Sequence, residues 1–208
     1  MGAGIAILAL LLLLGGVALA APGSADVWTA PAAGRRVLLV GDSLTKGYGP
    51  LVRLPGAMVV PLAVPGRGVR VLGELVPEAL QRVRPTDVVV LLGVNDLTTP
   101  GRGVRVVCDG LGRIWSDVKR AGARLYAVAL TPAAGHSRLD DTAIQALNGW
   151  MVAAQRYPGG PDVVVRTSGL GDADGRLRPE FDAGDHLHLT PAGYRALADL
   201  VTRALEVS

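Results

Sequence analysis

Two histidines stand on either side of Leu187 in the stretch "GDHLHLTPAGY", residues 184–194, of a chain that holds three histidines in all. Such a pair can ligate a metal, move protons, or decorate a loop. His136 is the only further histidine available to a site that usually takes three protein ligands in set geometry, so the metal reading of Asp185, His186 and His188 is set aside. No metal or other cofactor is expected. Asp185 and His188, three apart in a tight turn, can return their side chains to one side, where the carboxylate accepts the imidazole Nδ1–H. His186, next to Asp185, then points elsewhere and reads as a solvated loop residue. His136, in "TPAAGHSRLD", reads as a loop residue bordering the same region.

Three other stretches carry candidate chemistry. "GDSLTKGYG" (41–49) offers Ser43, "LAVPGRGV" (62–69) offers Gly66 and Gly68, and "GVNDL" (93–97) offers Asn95 with Asp96. Each has a plain structural reading: Asp and Ser cap helices, while Gly and Asn make turns. A phosphate-binding loop is a poorer fit, because the G-x-x-x-x-G-K-[ST] order is absent. Taken together the four stretches supply what acyl transfer requires. A serine hydroxyl is a poor nucleophile until a base takes its proton, and that base must be held in one tautomer by a third group. The oxyanion of the tetrahedral intermediate then needs preorganised donors, such as backbone N–H groups and an Asn amide. Asp42 and Asp96 read as hydrogen-bonding supports of their loops. Cys108, the single cysteine, has no histidine near it in sequence and reads as a small core residue.

The elements that must position these residues are legible as alternation. Short apolar runs recur at 36–41, 57–62, 87–93, 124–130 and 162–166, rich in β-branched residues and apolar on both parities, as in strands covered on both faces. Between and after them lie segments with helical spacing: 69–83, 103–121, 139–156 and 191–206. In the first, Leu72, Leu75, Val76, Ala79, Leu80 and Val83 form one stripe, and Pro77 is expected to disturb the helix or to end its first turn. The last opens at Thr190-Pro191, a cap followed by proline at the first helical position. This pattern predicts an α/β fold, a three-layer α/β/α sandwich around a five-stranded parallel sheet of flavodoxin-like type. In such sheets ligands bind beyond the carboxyl ends of the strands, where all four stretches fall.

Those stretches, in that order, resemble the conserved blocks of the SGNH hydrolases, also called GDSL lipases or esterases. "GDSLTKGYG" resembles block I, "LAVPGRG" block II, "GVND" block III and "DHLHLTPAGY" block V, and together they span residues 41–194. The resemblance implies Ser43 as nucleophile, with Asp185 and His188 completing the triad. It further implies an oxyanion hole made of the Ser43 N–H, the Gly66 N–H and the Asn95 side chain. Block II departs from the common pattern, with Pro61 and Pro65 where many members carry Asn and Ser, and Gly68 stands as the fallback donor. The G-x-S-x-G elbow of the other large α/β hydrolase family is absent.

The function expected is therefore serine ester hydrolysis through an acyl-enzyme, on a small-molecule, glycan or lipid ester. The alternatives are an acyltransferase using the same triad and a non-catalytic ligand-binding domain of the same fold. Composition narrows the partners. The net charge of +3 comes from Arg and Lys scattered along the chain, and 4% aromatic content leaves little for base stacking, so nucleic acid is not an expected partner. Residues 1–21, "MGAGIAILALLLLLGGVALAA", hold no charged side chain and end in a small-x-small Ala18-Leu19-Ala20 site. They read as a cleaved signal peptide of a secreted or extracytoplasmic protein, with an uncut membrane anchor as the alternative. Residues 22–34 read as a linker and 35–208 as the esterase domain.

Overall fold

A computed structural model describes residues 34–207 of the 208-residue chain. The signal or anchor segment 1–21 and the linker up to residue 33 lie outside the described residues.

Strand β1 (Arg35–Gly41) is central, and Val37 through Val40 are wholly inaccessible. It pairs in parallel with β2 (Ala57–Ala63) on one side and β3 (Asp87–Leu91) on the other, and β4 (Arg124–Val128) and β5 (Val163–Val165) extend the sheet to the order β2-β1-β3-β4-β5. The order reverses direction at β1. Because crossovers between parallel strands are right-handed, the reversal sends the connections to opposite faces. Helix α1 (Ser43–Tyr48) packs with α6 (Pro191–Glu206), while α2 (Val69–Val83), α4 (Val104–Arg120) and α5 (Asp141–Ala154) pack in succession on the other face. The short α3 (Val94–Leu97) follows β3. Both faces are thus covered, which is why the strands carry apolar residues at odd and even positions alike. Trp115 of α4 stacks on Trp150 of α5 with ring centroids 4.7 Å apart.

Two local departures from the expected elements have physical causes. The β4 run was expected to reach Leu130 but pairs only to Val128, because the Asn148 side chain takes over the Leu130 backbone: Leu130 N–H donates to Asn148 Oδ1 at 2.8 Å and Asn148 Nδ2 donates to Leu130 O at 3.0 Å. Pro77 does not interrupt α2, which continues to Val83. Pro77 faces solvent, so water can satisfy the carbonyl it leaves unpaired, and burial of Leu72, Val76, Leu80 and Val83 holds the helix down. Pro61 lies within β2, an edge strand, where a missing N–H is tolerated.

At the amino ends of the strands, Arg35 Nε and Nη2 donate to the Asp87 carboxylate at 3.0 and 2.9 Å, and the Tyr126 hydroxyl donates to it at 3.0 Å. Burial raises the pKa of Asp87, but Arg35, Thr86 and Tyr126 outweigh it and the net shift is downward. A depressed carboxylate stabilises the fold above its unfolded pKa and loses that contribution as pH falls through the folded value. Asp87→Ala is expected to lower stability by about 1–3 kcal/mol near neutral pH, measured by urea denaturation, with a smaller difference in acid. The loops beyond the carboxyl ends of the strands should be undisturbed, since the cluster sits at the opposite edge of the sheet.

Candidate active site

Where β1 ends, Asp42 caps α1 by accepting the Leu44 N–H at 3.0 Å. Ser43 is the first residue of that helix, so its own N–H has no intrahelical acceptor. The structural and chemical readings of "GDS" are therefore compatible: Asp42 is the cap and Ser43 the residue it presents. Helix α1 packs on α6 so closely that Gly47 lies against the Tyr194 ring. That contact brings the loop before α6 over the end of β1.

In that loop Asp182 acts as an organiser. Its Oδ1 accepts the Gly184 and His186 N–H groups at 2.8 and 3.0 Å, and its Oδ2 lies 2.8 Å from His186 Nδ1. His186 adopts φ +60°, a left-handed conformation that costs about 1–2 kcal/mol for a residue with a Cβ. The Asp182 bonds offset this strain. His186 is thus not the freely solvated loop residue expected from sequence but the ring of a second Asp–His pair. Reversal of the chain at His186 lets Asp185 and His188 return to one side. The Asp185 Oδ1 accepts the Leu187 and His188 N–H groups at 3.0 and 2.7 Å, and its Oδ2 lies 2.6 Å from His188 Nδ1. A carboxylate can only accept, so the proton sits on Nδ1 and Nε2 carries the lone pair. Nε2 is 3.0 Å from Ser43 Oγ, across 145 residues of sequence. Burial tends to raise the Asp185 pKa, yet the His188 ring and the two backbone N–H groups bring it down to about 2. Its carboxyl therefore stays ionised down to about pH 2. His136 instead accepts the Arg138 N–H within its own loop, 3.2 Å away.

Gly66 occupies the third position of a turn closed by Arg67 N–H donating to Val64 O at 3.2 Å, with Pro65 second and Gly66 at φ +71°. That is the type II arrangement, which favours Pro then Gly. The proline that departs from the block II pattern thus suits the turn. Among the described residues the Gly66 N–H donates to nothing. Gly68 serves a different need: it caps α2 without a Cβ, and a Cβ there would collide with the Asp96 carboxylate.

Asn95 stands in α3 beyond the end of β3, its Nδ2 donating to Asp42 Oδ2 at 2.9 Å and to Arg67 O at 3.3 Å. Its neighbour Asp96 has a wholly buried carboxylate that accepts the Val69 N–H at 2.9 Å and Arg102 Nη1 at 2.9 Å. Asp96 therefore clamps the start of α2, just past the turn holding Gly66, to the helix holding Asn95. Sequence reasoning anticipated Asp42 and Asp96 as supports but missed Arg102 and Asp182. An Asp-x-Gly at 182–184 is a turn signature that points to Asp182, whereas nothing local marks Arg102.

Among the described residues no three His, Cys, Asp or Glu side chains gather as metal ligands. Ser43, Asn95, Asp185 and His188 line neither of two cavities of about 380 and 750 Å³. They lie instead at an open surface, with the His188 and Asp185 side chains 40% and 52% exposed.

Residues 39–196 match the profile of the GDSL-like Lipase/Acylhydrolase family, most of the chain. The chain belongs to this family. GDSL-like hydrolases of known structure share its fold at low sequence identity. A GDSL-like lipase from Bacteroides thetaiotaomicron superposes with a TM-score of 0.70 at 19% identity, covering 83% of this chain and 88% of that one. The lipase/acylhydrolase from Enterococcus faecalis gives 0.68 at 19% identity, with 82% and 95% covered. An acetyl xylan esterase gives 0.68 at 16% identity, with 82% and 99% covered. Comparison with curated protein sequences gives no match.

Burial raises the Asp42 carboxyl to about 6, and the Leu44 and Asn95 N–H groups hold it back only in part. The folded state then binds more protons than the unfolded one between about pH 4 and 6, so stability falls as pH rises through that window. Asp42→Asn is expected to be more stable than the parent near neutral pH and to lose this advantage below about pH 4. Leu44 and Asn95 donate to different oxygens of Asp42, and in the amide one of those positions becomes an NH2 that cannot accept, so one of the two bonds is lost and activity should drop about tenfold or more. Denaturation at both pH values alongside an activity assay checks this; equal stability changes at the two would refute the burial argument. Gly68→Ala should likewise lower turnover, by displacing Asp96.

Proposed function

We propose that this GDSL-family protein is a serine ester hydrolase working through an acyl-enzyme. The observation that carries the reading is the relay of Ser43 Oγ, His188 and Asp185, with separations of 3.0 and 2.6 Å; with the ring proton on Nδ1 facing Asp185, Nε2 is free to accept from the hydroxyl. In the first half-reaction His188 Nε2 takes the Ser43 proton as Oγ bonds to the ester carbonyl carbon. The carbonyl π electrons move to oxygen, and the oxyanion is held by the Ser43 N–H, the Gly66 N–H and Asn95 Nδ2. Its collapse breaks the C–O bond, and His188 returns the proton to the departing alcohol. Water, deprotonated by the same imidazole, then attacks the acyl carbon and releases the acid with Ser43 restored. The bond from Asn95 Nδ2 to Asp42 engages one amide hydrogen; the other, which Nδ2 directs at Arg67 O across 3.3 Å, is the one available to the oxyanion.

Hydrolysis is favoured over transfer by the exposure of His188 and Asp185. Water has free access to the acyl carbon, whereas transfer to another alcohol requires its exclusion. The uncharged apolar segment at residues 1–21 supports an extracytoplasmic location, to be checked by fractionation and N-terminal sequencing of the mature protein.

Ser43→Ala is expected to reduce kcat on p-nitrophenyl acetate by at least about a thousandfold and to abolish labelling by a fluorophosphonate. The parent should lose activity on the acid side as the imidazole is protonated, while Asp185 stays ionised. Labelling that persists without Ser43, or a rate that does not respond to acid, overturns the assignment. Measured transfer outpacing hydrolysis in the presence of an acceptor alcohol would replace hydrolase by transferase.

A further inference from the structure

The cavity of about 380 Å³ that the proposed mechanism does not use is a groove between α5 and the segment following β5. Its position is set by the sheet. Leu130 follows β4 and Arg166 follows β5, so the groove opens at the same carboxyl edge as Ser43 but two to three strands away, at least roughly 10–14 Å at ordinary strand spacing.

One stripe of α5 walls it, since Asp141, Ile144, Gln145, Asn148 and Val152 recur at helical spacing, and Pro132 and Ala133 add apolar surface opposite. The inner polar groups are already engaged. Asn148 holds both backbone groups of Leu130, and Thr167 Oγ donates to Leu130 O at 2.9 Å. The outer ones are not: Asp141, Gln145, Arg166 and Ser168 line the groove with side chains that bond to nothing among the described residues. Their chemistry selects the occupant. Asp141 and Arg166 balance in charge, and Asp174 is paired with Arg176, so the groove is near neutral and does not attract an ion of either sign. A fatty chain would strip water from four polar side chains without replacing a single hydrogen bond. A ligand with many uncharged hydroxyl groups can accept from Arg166 and Gln145, donate to Asp141, and exchange both ways with Ser168, while its C–H surface lies on Pro132, Ala133, Ile144 and Val152.

We propose that this groove binds a neutral saccharide chain, the part of the ester substrate remote from the scissile bond. The proposal rests on the ester-hydrolase reading above for its catalytic meaning, and on the groove alone for binding. A small acyl group at Ser43 does not reach it; an extended glycan does.

Backbone amide shifts of the full chain, titrated with xylotriose, cellotriose, chitotriose, trigalacturonate and laurate, test the binding. At least one of the three neutral trisaccharides should move the signals of Gln145, Gly149, Ser168 and Gly175 by about ten millimolar, with trigalacturonate and laurate leaving them in place. Silence from all three neutral sugars, or an equal response to the anion or the fatty acid, overturns the proposal. In the double variant Gln145→Ala, Arg166→Ala, both positions being exposed, the sugar response should vanish and KM for an O-acetylated trisaccharide should rise about tenfold. Activity on p-nitrophenyl acetate should stay within about twofold of the parent. A double variant that still responds to the sugar, or that loses both substrates equally, also overturns it. If the parent fails to cleave p-nitrophenyl acetate, the ester reading falls while the shift titration still reports on the groove.

Discussion

The arrangement of this site depends on a parallel sheet having all its carboxyl ends on one edge. Ser43 hangs from the end of β1, Asn95 from the end of β3, and the loop bearing His188 descends from β5 into α6. None of these segments is near another in sequence. The register that aligns Val40 with Val90 and Gly41 with Leu91 fixes how far Ser43 stands from Asn95. The packing of α1 on α6, with Gly47 against Tyr194, fixes how far it stands from His188. Lateral backbone bonds hold the first distance and side-chain packing the second.

Two buried carboxylates hold the Ser43 and Asn95 side of the site, and they do so at unequal energetic cost. Asp96 is compensated by the Val69 N–H and by Arg102, a charge partner that remains 40% exposed to water. Asp42 has N–H donors but no cationic side chain bonded to it, and its carboxyl is raised to about 6 by burial. A group held against its own solvation in this way is typical of a residue retained for positioning and not for stability. Asp42 orients Asn95 and caps the helix of Ser43 simultaneously, so one ionised side chain sets the directions of both groups.

The opposite side of the site is open. Asp185 and His188 are held by short bonds within a few residues of one another, and the strained backbone at His186 is tied down by Asp182. The Asp185–His188 pair owes its geometry to local loop chemistry and needs little enclosure. An open relay admits large substrates as readily as small ones. The groove beside α5 lies farther along the same sheet edge, and on the reading proposed above it is where a substrate would be held beyond its acyl group.

Much of this was legible without coordinates. Apolar residues at both parities in 87–91 reflect a strand covered on both faces, and Thr190-Pro191 marks the start of α6, because burial and capping are local demands that each segment must meet by itself. Asp185 and His188 were readable as a pair because three residues of loop suffice to bring them together. Pro77 misled, since a proline's effect depends on whether its face of the helix meets water. Likewise β4 stopped short because a side chain from α5 claimed its last backbone groups. The link from Asp42 to Asn95, the clamp of Asp96 on Arg102 and Val69, the pairing of His186 with Asp182 and the unpartnered side chains of the groove had no full signature in the chain. They are fixed by which strands neighbour one another and how helices cross them. Residue types and short spacings determined which chemistry this protein carries, while the distances between groups from remote segments were decided by tertiary packing, because only the assembled sheet and helices bring those segments within hydrogen-bonding reach.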